Sequence, residues 1–144
     1  MTTWVVVADS SRGKIYVQDK PGGELQEAVD LVHPSARLQG KDLKSDRAGA
    51  HVGAFGQGAH VFAARTEARE HEAESFAKEI AERLEGARNG GEFQKLVLMA
   101  PPEFLGLLRE QLGDELRKLV VEEIAKDLVT RSADEVLEKM QHAQ

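Results

Sequence analysis

Hydrophobic residues change their spacing along the chain, and each change marks a different kind of element. Trp4 to Ala8 is a β-branched, apolar run suited to a buried strand. Asp9-Ser10-Ser11-Arg12-Gly13 has turn chemistry and Lys14 to Gln18 resumes as a second strand, so the pair predicts a hairpin. Asp19-Lys20-Pro21-Gly22-Gly23 makes the next turn. Leu25 to His33 then reads as a third strand, with Leu25, Val29, Leu31 and Val32 as its apolar positions. The strands follow one another in meander order.

From Pro34 to Gly58 no periodicity is sustained. Loops of that length are uncommon in compact domains and tend to be functional or disordered. Few apolar anchors and a concentration of glycines make the stretch from about Gly40 to His60 an exposed, mobile loop in expectation. A long helix follows, in which Ala73, Phe76, Ala77, Ile80, Ala81 and Leu84 form a narrow core-facing stripe. Asn89-Gly90-Gly91 stops it. Phe93 to Ala100 is short and almost wholly apolar, the mark of a central strand. Pro101-Pro102 breaks that strand, and Pro102 suits the first turn of a helix through Leu112. Gly113 separates this helix from Asp114 to Lys118. Leu119 to Ile124 fits a strand best, although a helix through Leu128 fits nearly as well. Ser132-Ala133-Asp134-Glu135 has capping-box spacing and opens a last helix carrying Val136, Leu137 and Met140.

This order predicts an α/β fold: a single domain over residues 1–144 with a mixed, partly antiparallel sheet and helices packed on it. Its expected core includes Val5, Val7, Ile15, Val17, Phe76, Ile80, Leu96, Leu98 and Leu105.

Composition narrows the function classes. With 41% hydrophobic and 31% charged residues, the chain has the balance of a soluble globular protein. No apolar run approaches the ~20 residues of a membrane span. The first residues carry no basic segment or cleavage site, so the expected location is cytoplasmic. The absence of cysteine excludes disulfides, zinc–thiolate sites and a thiol nucleophile. A net charge of −6, from 25 acids and 19 bases, opposes nonspecific binding to phosphates. The charge is uneven: Arg37, Lys41, Lys44, Arg47 and Arg65 face only Asp42 and Asp46 in the same stretch, while acids concentrate between Glu67 and Glu85 and after Asp114. A mildly basic loop on an acidic body can still meet RNA locally.

Candidate chemistry centres on Gly56-Gln57-Gly58. Glycines on both sides let the backbone reach positive φ and approach a ligand closely, with the glutamine amide at the tip. A soluble, mobile loop is the competing reading and has similar weight. Asp9 ends the first strand and, with Asp46 or Asp127, has the chemistry of a nuclease metal site, but a lone Asp there is more often a turn former. His71 has metal-permitting spacing to Glu67 and Glu74, yet beside Arg69 and Glu70 it reads as a surface charge cluster. No metal or cofactor is therefore expected. Arg12 and Lys14 beside Asp9 form a polar corner that either touches RNA or caps the sheet, and capping is the safer reading. Asp42, Asp46 and Arg47 suit loop-ordering ion pairs or caps. Phe104, Leu105, Leu107 and Leu108 recur at helical spacing as core residues, without a ligand.

With these segments in place the chain resembles the bacterial host-attachment protein family, described as "protein required for attachment to host cells". The resemblance rests on Thr3-Trp4-Val5-Val6-Val7-Ala8-Asp9 with Arg12 to Ile15, on Asp42 to Gly49, on Phe76-Ala77-Lys78-Glu79, and on Asp127-Leu128 with the capped last helix. Its most specific part is Ala100-Pro101-Pro102-Glu103-Phe104-Leu105-Gly106-Leu107-Leu108-Arg109. A label taken from an attachment phenotype does not identify a molecular activity. Without a secretion signal, repeats or an exposed hydrophobic segment, an indirect role is expected, as a cytoplasmic binding or regulatory module.

A more distant resemblance bears on chemistry. Strands, a glycine–glutamine loop and a long helix in that order are similar to the catalytic middle domain of archaeal and eukaryotic peptide release factors, which has an RNase H-like fold. There a Gly-Gly-Gln tip positions water against the peptidyl-tRNA ester. The resemblance implies that Gly56 matches the second glycine and Gln57 the glutamine, while Ala63, Arg65 and Arg69 match small and basic residues early in the helix. Phe55 stands where the first glycine belongs, and Gly58 follows the glutamine. The implied partners are the ribosome or tRNA, with Arg47, Arg65, Arg69, Arg12 and Lys14 as RNA-contact candidates. Such hydrolysis needs positioning and hydrogen bonds rather than a titrating nucleophile.

Overall fold

The computed structural model describes residues 1–32 and 58–140, with side chains from residue 68 onward in the second stretch. In chain order its elements are β1 (Thr3–Ala8), β2 (Arg12–Gln18), β3 (Gln26–Val32), α1 (Gly58–Asn89), β4 (Lys95–Met99), α2 (Pro102–Gln111), α3 (Asp114–Leu119), β5 (Val120–Ile124) and α4 (Ala133–Lys139). The strands form one five-stranded sheet in the order β3-β2-β1-β4-β5. β1 is antiparallel to β2, with Val5 opposite Tyr16, and parallel to β4, with Val5 opposite Val97. Paired on both sides and covered on both faces, all of β1 is buried. That is why its sequence is continuously apolar rather than alternating.

Alternation along the strands still decides which residue meets which layer. Trp4, Val6, Ile15, Leu96 and Leu98 face α1 and α2, where they meet Phe76, Ile80, Leu84, Phe104 and Leu108. Val5, Val7, Tyr16, Val97 and Met99 face the other way, under Leu128, Val129, Val136 and Met140. The result is an α/β domain with helices on both faces of a mixed sheet. Gly13 packs tightly against Ala8 at the end of the β1–β2 hairpin, beneath α1. A Cβ there would stand 3.3 Å from the Cβ of Ala8 and 3.7 Å from both Phe76 Cζ and Ile80 Cδ1.

The details refine several expectations. β2 begins at Arg12, because Asp9 closes the turn tightly: its Oδ1 accepts the N–H of Ser11 at 2.8 Å and of Arg12 at 2.9 Å. Val17 packs against the core from a half-buried position. β3 is an edge strand with mostly exposed residues, and buried Leu25 precedes it. Val120–Ile124 is a strand, and the competing helix is excluded by parallel pairing of Ile124 with Met99. Gly58 to His60, included in the expected mobile loop, are helical. An alanine-rich start favours helix through intrinsic propensity, without needing an apolar stripe. The remainder of that loop, from about Gly40 to residue 57, lies outside the described residues, as do residues 33–39.

Candidate binding cleft at the carboxyl ends of the parallel strands

Because β1, β4 and β5 run parallel, their carboxyl ends lie along one edge of the sheet. The chain leaves these ends toward different parts of the fold: to β2 within the sheet, to α2 on one face and to the loop before α4 on the other. Here Asp9 follows β1, Pro101 follows β4 and Asp127 follows β5, and all three line a cavity of about 600 Å³. Consecutive prolines aim α2 across the opening. Pro102 opens the helix, and the carbonyl of Pro101 accepts the N–H of Leu105 at 2.8 Å.

The floor of the cleft is apolar: Ala73 of α1 with Phe104 and Leu107 of α2. Its rim is charged. Asp9, Glu70, Glu103 and Asp127 supply carboxylates, and Arg69 the guanidinium. Arg69, Glu70, Glu103 and Asp127 are exposed, while Asp9 is partly buried and held by the turn it closes. Arg69 forms no ion pair among the described residues. Among the described residues the rim carries an excess of negative charge, which attracts cations and repels phosphate.

The sequence-derived candidates fall in different places. Arg69 lies on the cleft rim. Arg65 stands four residues earlier on α1, so the backbone puts the two on neighbouring turns of one helix face. Arg12 and Lys14 begin β2, opposite Val32 and Asp30 of β3, and neither lines the cleft. Arg12 is half-buried, and its Nε has no hydrogen-bond partner among the described residues. Gly58 is the first residue of α1. Gly56, Gln57 and Arg47 lie outside the described residues.

Asp9 and Asp127 do share the cleft, but Asp9 acts as a turn former and Asp46 lies outside the described residues. Among the described residues no group of three or more histidines, cysteines or acids could hold a metal ion. His71 is exposed on α1. Phe104 is buried as a core residue should be, yet Phe104 and Leu107 also form the cleft floor, a second role that helical spacing alone could not reveal. Glu103 gave no sequence signal beyond its place after two prolines.

A smaller cavity of about 360 Å³ lies between α2, α3 and β5. Its charged groups already serve the fold. Arg109 donates to both oxygens of Glu123, and Arg117 donates to the carbonyl of Arg109 at 2.9 Å. The glutamate holds the Arg109 guanidinium above its ordinary pKa through a side-chain hydrogen bond and charge. Among the described residues no helix is long and apolar enough to cross a membrane.

The chain has similarities to known proteins. The chain is 33% identical over 78 residues to an uncharacterized protein of Rickettsia prowazekii (strain Madrid E), an alignment covering 53% of this chain and 52% of that protein. The chain thus spans about half the length of that curated relative. A crystal structure of an archaeal translation termination factor superposes with a TM-score of 0.47 at 13% identity, covering 99% of this chain and 36% of that one. Likeness at that level leaves the chemistry open, since function resides in the residues of a site. Residues 4–140 match the sequence profile of the family described as "Protein required for attachment to host cells". That match runs from the first strand through the last helix, and the chain belongs to this family.

Proposed function

We propose that the protein is a cytoplasmic binding module that holds its partner in the cleft at the carboxyl ends of β1, β4 and β5, and that its part in attachment is indirect. The cavity carries this reading. Its ~600 Å³ falls among the ~300–1,000 Å³ typical of ligand sites, and an apolar floor under a few polar groups is their usual construction. Among the described residues that line the cleft, Ser10 has no histidine beside it, a set better suited to recognition than to nucleophilic catalysis. A nitrogen-15 NMR screen of the full chain against small-molecule fragments tests the reading. Binders should shift the amides of Ser10, Glu70, Glu103 and Asp127, and Leu107→Trp should block them by filling the floor. Shifts scattered elsewhere, or none at all, would remove the cleft from consideration.

A second reading, release-type hydrolysis of peptidyl-tRNA by Gln57, draws on the length of α1. Ala68 to His71 are exposed, and Ala73 is the first buried side chain of the helix among those described. Gly58, bonded to Gln57, lies 15 residues earlier, or about 22 Å along the axis. Gly56 and Gly58 would give that glutamine close backbone approach, and Arg65, Arg69 and Arg47 would meet phosphates. Peptide release from a stalled ribosome–nascent-chain complex is the corresponding assay, and no release by the wild-type chain would end this reading.

A further inference from the structure

We propose that the occupant of the cleft is a basic peptide segment of a partner protein, with one apolar side chain set between lysines or arginines; this rests on the binding-module reading. The carboxylates of the rim come from separate elements: Asp9 from the β1–β2 turn, Glu70 from α1, Glu103 from α2 and Asp127 from the loop after β5. Among the described residues no three of them form a group able to hold a metal ion. Carboxylates supplied by four separate elements are matched by a cation with positive groups spaced along it.

The other surfaces of the cleft select a peptide over a simple polyamine. The floor of Ala73, Phe104 and Leu107 gains from an apolar side chain, which a polyamine lacks. Arg69 is a donor without an ion-pair partner among the described residues, and a peptide backbone offers it carbonyl acceptors. Nucleic acid and anionic lipid present phosphates to this rim and are repelled by it. The net charge of −6 steers a basic segment toward the protein over longer range.

The test titrates the nitrogen-15-labelled full chain with end-blocked peptides of equal length. One is lysine- and arginine-rich around a central leucine, one replaces that leucine by serine, and one replaces the bases by glutamate. Spermine is the non-peptide control. The basic leucine peptide should shift Ser10, Glu70, Glu103 and Leu107, and weaken as salt is raised. Glu70→Lys with Asp127→Lys should weaken it by about tenfold or more with the thermal midpoint retained, since both side chains are exposed. The serine peptide should bind several-fold more weakly, and the glutamate peptide not at all.

Equal binding of the glutamate peptide, indifference to the double charge reversal, or spermine binding as tightly as the peptide would overturn the proposal. So would a concentration-dependent dimer that perturbs the same amides, which would make a second copy the occupant. Neutral fragments that still shift the cleft when the basic peptide does not would sink this inference and leave the binding module standing. If neither perturbs the cleft, both fall.

Discussion

Arg109 grips Glu123 through two parallel hydrogen bonds, Nε to Oε1 at 2.9 Å and Nη2 to Oε2 at 2.8 Å, and so ties α2 to the edge strand β5. The fork geometry gives the pair direction as well as attraction. Both groups are partly or largely in water, so the pair orients more than it stabilises. A double-mutant cycle of Arg109→Ala and Glu123→Ala should show a small favourable coupling that fades at high salt. Arg109→Lys should not restore it, because a lysine cannot reproduce the fork. Coupling insensitive to salt would contradict this account.

Gly13→Ala probes the contact between hairpin and helix. The added methyl would meet Ala8 Cβ at 3.3 Å, with Phe76 and Ile80 at ordinary contact distance behind it. The tight neighbour is Ala8 on the paired strand, so the end of the hairpin must give by a few tenths of an ångström. A loss of about 1–3 kcal/mol in urea unfolding is expected, the usual range for overpacking. Gly13→Val should lose more. An unchanged midpoint would mean that the interface has slack the close contacts do not suggest.

Contacts between segments far apart in the chain mark where sequence reading stops. The runs around Val5 and Val97 announce buried strands because their environment is apolar on both faces. Ser132 announces its helix because capping is local, its Oγ accepting the N–H of Glu135 at 3.2 Å. For Leu119 to Ile124 the pattern favours a strand only narrowly over a helix, since the partner that fixes it is β4, more than twenty positions away. The predicted apolar stripe marks α1 from Ala73 onward; the helix before it, from Gly58, is legible through alanine propensity and through the release-factor resemblance, which puts Ala63, Arg65 and Arg69 early in the helix. Asp9, Glu70, Glu103 and Asp127 are scattered along the chain, and only parallel strand order brings them to one rim.

Tyr16 predicts a pH dependence. Burial raises its pKa above the usual 10.0, and the charges of Glu27 and Asp30 raise it further. Below the unfolded-state pKa the phenol is neutral in both states and its burial carries no ionisation penalty. Above it the unfolded chain loses the proton more readily, so stability falls as pH rises from about 10 through the higher folded-state value. Urea midpoints of the wild type should drop across that window. Tyr16→Phe should flatten the drop, and an unaltered slope would assign the alkaline loss to other groups.

The last prediction separates the cleft from the glycine–glutamine tip. Leu107 is half-buried on the cleft floor, whereas α1 begins at Gly58, the residue after Gln57, and reaches Ala73 only after about 22 Å. Sites that far apart should respond independently to substitution. Leu107→Trp should abolish binding at the cleft and leave any ribosomal activity intact. Gln57→Ala should leave cleft binding unchanged and, only if the glutamine is catalytic, abolish peptide release from a stalled ribosome–nascent-chain complex. Ribosome co-sedimentation at low salt, measured on both variants, shows whether a loss of release reflects chemistry or docking. Release that survives Gln57→Ala would rule out the glutamine as its agent. Loss of release on Leu107→Trp would show that the two regions work as one site, contrary to the distance along α1 between Gly58 and the cleft.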